Sequence, residues 1–186
     1  MKKIALLLFV TLFLGGCINN QTIVISPNVM GPHTAEGKGV TVGLAVLDQR
    51  PTSVIGERAG YANITTTSDV VAVTRSRVAS VLRDRGFTVS NRGANDPVHL
   101  TVQVQKLQFS SRKGFAVFEF TVQASVRVVA TRSGTSYKKV YVYSDVSHSM
   151  AAHHAGTNAQ LINAALSNVL TQLADDQKLV NFLIGG

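Results

Sequence analysis

Asp48 and Arg50 stand at i and i+2 where an alternating run, Val40 to Leu47, ends, so a strand there would point both to one face. A carboxylate and a guanidinium so placed form a bidentate ion pair that pins the following loop, and the same donor fork could instead take an external anion. His148, His153 and His154 gather ahead of a helix start, with Asp145 near by. Zinc takes three or four protein ligands and adjacent histidines rarely share one ion, so no metal and no other cofactor is expected. The patterns H-E-x-x-H, G-x-S-x-G and the P-loop do not occur, which disfavours an enzyme, a hydrolase included. Tyr137, Tyr141 and Tyr143 have the parity opposite to Val140 and Val142, so they are expected to project together from an uncovered sheet face. Arg127, with Gln123 and Glu119, would join them from the preceding strand. A tyrosine and arginine patch is what interfaces enrich, which makes it the candidate binding surface.

The one cysteine of the chain, Cys17, carries a different chemistry. It follows Met1-Lys2-Lys3, a largely apolar run from Ile4 to Leu14, and Gly15-Gly16. A charged start and a short apolar stretch make a secretory signal, and eleven residues fall short of the about 20 that span a bilayer. Leu14-Gly15-Gly16 ahead of a thiol resembles the lipobox of bacterial lipoproteins: the small residues would admit a signal peptidase, and the thiol would accept a diacylglyceryl group. Residues 1–16 are therefore expected to be removed, residues 17–39 to supply the lipidated Cys17, a tether and an edge strand, and residues 40–186 to form a single periplasmic domain. In enterobacterial lipoproteins an Asp at this place resembles an inner-membrane retention signal, so by that resemblance Ile18 implies an outer-membrane anchor facing the periplasm. Two of the 18 Lys and Arg residues leave with the signal, so the mature chain holds 16 basic against 10 acidic residues, a formal +6. That surplus suits phospholipid headgroups or cell-wall polymer, and the exported location excludes nucleic acid as a partner.

The elements that must position these groups follow from periodicity. Thr22–Ser26 ends at Pro27 and reads as an edge strand. Ser68-Asp69 starts a helix, with the Ser68 hydroxyl as N-cap, that ends at Gly86. Val98–Phe109, Phe115–Ala130 and Tyr137–Val146 alternate as three long strands. A bulge is expected near Lys106, a basic turn over Ser110–Gly114, a turn at Ser133-Gly134, and Val140, Val142 and Val146 inward. Thr157 and Gln160 have capping-box spacing ahead of an apolar stripe from Leu161 to Leu173, and Asp175-Asp176 caps a last short helix. The fold class expected is α+β: a two-layer sandwich, a mostly antiparallel sheet with helices on one face.

The lipobox, the strand Gly39-Val40-Thr41-Val42 leading to Asp48-Gln49-Arg50, and the terminal helix Asn163-Ala164-Ala165-Leu166-Ser167-Asn168-Val169-Leu170 with its Phe182 tail resemble the YajG family of bacterial lipoproteins. The resemblance implies an outer-membrane lipoprotein with a periplasmic domain. Joined to the residue reading, it gives the expectation of a non-catalytic domain that binds an envelope protein or peptidoglycan. The alternative is a lipid-handling accessory of an envelope transporter, which requires an apolar cavity between helices and sheet. The sequence leaves the oligomeric state open.

Overall fold

A computed structural model describes residues 20–58 and 62–186, and the elements below are those of the described residues. The lipobox and Cys17 lie outside them. In chain order the elements are β1 (Gln21–Ile23), β2 (Thr41–Asp48), β3 (Gly56–Arg58), β4 (Ala62–Thr66), α1 (Val70–Asp84), β5 (Thr88–Ser90), a single 3-10 turn (Gly93–Asn95), β6 (Val98–Lys113), β7 (Phe118–Arg132), β8 (Thr135–Ser149), α2 (Ala155–Ala174) and α3 (Gln177–Ile184). The eight strands form one mixed sheet, and the fold is the expected α+β arrangement.

β6 is the spine. Along one edge it pairs antiparallel with β7 over its whole length, and β7 pairs antiparallel with β8. Its other edge is divided between two neighbours. Residues 99–104 pair parallel with β2, whereas Phe109 and Ser110 pair with β3, which leads on to β4 and β1. The register of β6 against β7 shifts between Val104 and Lys106, so the extra residue, Gln105, falls where one neighbour gives way to the other. The bulge expected from the phase change is therefore present, and it splits the sheet edge into a fork.

The inward residues of β6 and β7 follow the sequence alternation: Leu100, Val102, Val104, Val126 and Val128 are fully buried. Onto them α2 lays Ile162, Ala165, Leu166, Val169 and Leu170, each 0–1% exposed, as the stripe requires. The layer between helix and sheet is thus filled by side chains. The segment before β2 joins this core through Ile23 and Ile25, and Asn163 and Ser167 of α2 bind its backbone at Val24, Ser26 and Asn28. Arg85, buried at the end of α1, pairs with Glu36 and donates to Gln177, tying the same segment to α1 and α3.

Several expectations are corrected. The N-cap of α1 is Asp69, whose carboxylate accepts from the Ala72 amide; the Ser68 hydroxyl is used instead by the Ile25 amide. α2 starts two residues before Thr157 and is capped by the His154 ring, because Ala155 and Gly156 already have helical geometry. β6 runs on to Lys113, so the turn is Gly114–Val117, closed by the Gly114 amide on the Val117 carbonyl.

The largest correction concerns β8. Tyr137, Tyr141 and Tyr143 face the helices, with Tyr141 2% exposed, while Val140, Val142 and Val146 are 48%, 59% and 52% exposed on the other side. The cause is the turn. Ser133 and Gly134 both have positive φ, 49° and 79°, the two-residue type I′ geometry that fixes Arg132 opposite Thr135. Counting back, Val126 lies opposite Tyr141 and Arg127 opposite Val140. Directly opposed residues share a face, so the inward Val126 carries Tyr141 inward with it.

Candidate functional site

The Asp48 and Arg50 pair forms as expected from its spacing. Arg50 donates from Nε to Asp48 Oδ1 at 2.9 Å and from Nη2 to Oδ2 at 2.7 Å, and its backbone amide adds a third bond to Oδ1. Those side-chain bonds from Arg50 hold the Asp48 carboxyl below the usual carboxylate range, against the opposing effect of burial. The Arg50 side chain is only 6% exposed, and its buried Nη1 has no hydrogen-bond partner among the described residues. Lysine at this position would lose the fork and the second bond, so Arg50→Lys is expected to lower stability by about 1.5 kcal/mol or more in urea titrations.

Arg50 also lines a cavity of about 460 Å³ at the fork, with Ile55, Gly56, Gln105, Lys106 and Phe109 among its walls. The strands dictate this hollow. β2 ends at Asp48, β3 takes up the same edge only at Phe109, and the bulged residue lies between. Lys106, Gln108 and Ser110 continue from its wall onto the face of the sheet opposite the three α-helices, and lie opposite Ser125, Gln123 and Thr121 of β7.

That open face is the site the strands build. It carries Gln103 and Arg127 opposite one another, with Val140 beyond Arg127 on β8, then Gln108, Gln123 and Ser144 in the next aligned row but one. Of the expected patch, Arg127 belongs here and the three tyrosines do not. Val140, Val142 and Val146, missed because they were assigned to the core, take their place. The two-residue turn was the available signal.

The tyrosines serve another centre. Tyr137 and Tyr141 donate their hydroxyls to Asp176 Oδ2 at 2.8 and 2.7 Å, and Lys139 adds its ammonium at 2.7 Å. Oδ1 of the same carboxylate accepts the amides of Lys178 and Leu179, capping α3. Burial opposes ionisation of Asp176, but these donors prevail and hold its carboxyl well below the ordinary range. Burial and the hydrogen bond to Asp176 push the Tyr137 hydroxyl up to about 12, and the more deeply buried Tyr141 further still. This cluster fastens α3 to β8.

A family model described as an uncharacterized lipoprotein, Lipoprotein_16, matches residues 27–184. The chain belongs to this lipoprotein family. No curated protein matches the sequence of the lipoprotein. Among solved structures it is similar to a DUF330-family protein from Xanthomonas campestris, 14% identical with a TM-score of 0.42, covering 88% of the lipoprotein and 95% of that chain. It is also similar to lipoprotein GNA1162 from Neisseria meningitidis, at 13% identity and TM-score 0.37 over 73% and 98% of the two chains. A third is PelC from Paraburkholderia phytofirmans, crystallised as a dodecamer, at 15% identity and TM-score 0.37 over 80% and 96%.

The histidines of the lipoprotein go separate ways. His148, one residue before the end of β8, lies on the open face, 3.7 Å from Glu119. His153 stacks on Phe120 with ring centroids 3.7 Å apart, and burial followed by the neighbouring His154 lowers its pKa. His154 caps α2. Among the described residues no three groups of ligand type converge as a metal would require. No helix among them is long and apolar enough to cross a membrane.

Proposed function

We propose that the lipoprotein is held in the outer membrane through an acylated Cys17, faces the periplasm, and uses the open face of its sheet as a non-catalytic binding surface for an envelope protein or cell-wall polymer. The supporting observation is the row of half-exposed valines on β8, Val140, Val142 and Val146, beside Arg127 on the face opposite α1, α2 and α3, where the short turn Gly93–Asn95 packs over β2 and β6. Single exposed apolar residues are ordinary, but an aligned row rimmed by amides and a cation has the composition of an interface. Its polar groups with unusual surroundings, Asp48 with Arg50 and Asp176 with the tyrosines, are spent on holding loops and helices in place, which favours binding over catalysis. Within the lipoprotein family the resemblance in the lipobox, the Asp48-Gln49-Arg50 corner and the terminal helix supports grouping it with the YajG-like members. The filled layer between α2 and the sheet lends no support to a lipid-carrying role.

Capture assays test this. Purified acylated protein incubated with peptidoglycan sacculi and with solubilised envelope is expected to retain one of them, and Val142→Asp with Arg127→Ala is expected to release it while leaving the thermal midpoint nearly unchanged. Retention equal to wild type in that double variant would remove the open face from the account.

A further inference from the structure

The end of the sheet at which the described chain begins also carries the most exposed large apolar side chain among the described residues, Phe115. Gln21, Ile64, Gly56 and Phe109 lie level across β1, β4, β3 and β6. One step on, Asn20 accepts from the Asn63 amide at 2.9 Å, and Asn63 is level with Glu57 and Ser110. β1 runs opposite to β6 across these pairings, so the direction from Gln21 back to Asn20 is the direction from Phe109 to Ser110 and on to the β6–β7 turn. Cys17 precedes Asn20 by three residues, a reach of at most about 11 Å. The three residues from Ser110 to Lys113 rise about 10 Å the same way.

At the tip of that turn Phe115 is fully exposed and Val117 is 39% exposed, and Met150, just past the end of β8, is 85% exposed. Phe118 pairs with Ser149, which sets Met150 beside the turn. Arg112 and Lys113 lead into it and Arg58 ends β3 at the same end; Glu119, opposite Arg112, and Glu57 are the acidic groups there. Apolar side chains at a tip with cations two and three residues behind them are the arrangement of an interfacial membrane contact, where rings enter the acyl boundary and long basic side chains reach phosphates.

We propose that the β6–β7 tip is a second membrane contact, inserting Phe115, Val117 and Met150 into the leaflet that holds the anchor and setting Arg112 and Lys113 against its phosphates. This rests on the reading of Cys17 as the acylated residue. The tip fixes how the domain stands on the bilayer, since the two acyl chains of a diacylglyceryl group on Cys17 already suffice to retain it.

The chain has no tryptophan, so single replacements report cleanly. Phe115→Trp and, at the opposite end of the sheet, Ser136→Trp would each be reconstituted as the acylated full-length product in phosphatidylethanolamine and phosphatidylglycerol vesicles with dibrominated acyl chains. Mass spectrometry of the N-terminal peptide would report acylation independently. The expected result is a blue-shifted emission from Phe115→Trp, quenched several-fold more strongly than that of Ser136→Trp. Acylated protein with equal quenching at the two positions overturns the tip contact and leaves the anchor standing. An unacylated Cys17 overturns the anchor, and the tip proposal with it.

Discussion

Asp176→Ala is expected to destabilise the domain by about 2–4 kcal/mol, because it takes the acceptor from two tyrosine hydroxyls and the cap from α3, while Lys139, 45% exposed, keeps its water. The cost has two physical parts. Tyr141 is 2% exposed, so its hydroxyl would lose its acceptor with no water to replace it, and α3 would lose the side chain that caps its first amides. Asp176→Asn keeps an oxygen for the cap and loses the charge, so it should fall between wild type and alanine. The pH dependence has a definite sign. The folded carboxyl titrates below its unfolded value, so the native state binds fewer protons and the stabilisation is fully present above the ordinary carboxylate range near about 3.9. It is lost as pH falls from there toward the depressed value. Urea titrations of wild type and Asp176→Asn should therefore converge in acid and remain separated at neutral pH; a gap that widened in acid would contradict the arrangement.

Gly56→Ala should be the most damaging single-methyl change in the fork. A Cβ on Gly56 would sit 2.1 Å from the Phe109 carbonyl oxygen and 2.8 Å from its carbon, backbone atoms of the sheet's spine that have nowhere to move. β3 must draw away from β6, and Ile55 and Ile64, both fully buried, move with it. Overpacking of this kind costs about 1–3 kcal/mol, and backbone contact places it at the upper end. The local readout is hydrogen exchange at the Phe109 amide, which donates to the Ile55 carbonyl at 2.8 Å: it should lose protection before the amides of β7 do. Unchanged exchange there would mean that the fork is more pliant than its close approach implies.

The layers were legible in the sequence because each carries one strong period. The stripe from Leu161 to Leu173 fits a helix and the alternation of Val98–Val104 fits a strand, and no competing pattern of similar strength runs through either. The Asp48-Gln49-Arg50 corner was legible too, since a spacing of two at the end of a strand leaves little freedom. β8 was not read correctly, for a physical reason: tyrosine and valine are both good strand formers, so alternation between them says that a strand is present and leaves its phase undetermined. The phase is set by the type I′ turn and by the inward Val126 opposite Tyr141, a long-range consequence of a two-residue loop. Asp176 was legible as a helix cap but not as the acceptor for Tyr137, Lys139 and Tyr141, because the contact joins residues 35 to 39 positions apart that only the packing of α3 beneath β8 brings together. The helix starts moved for a related reason: the Ser68 hydroxyl was available as a cap until the Ile25 amide, far away in sequence, claimed it.

The central claim is that partners meet the lipoprotein on the open face of β7 and β8, and in-cell photo-crosslinking from adjacent positions on β8 tests it most directly. A photoreactive residue at Val142, which is 59% exposed, and one at Tyr141, which is 2% exposed, differ by a single step along the strand and lie on opposite faces of the sheet. The account predicts a dominant envelope-protein or glycan adduct from Val142 and none from Tyr141. Equal labelling from the two positions, or no adduct from Val142 in cells whose lipoprotein is acylated and folded, would contradict it.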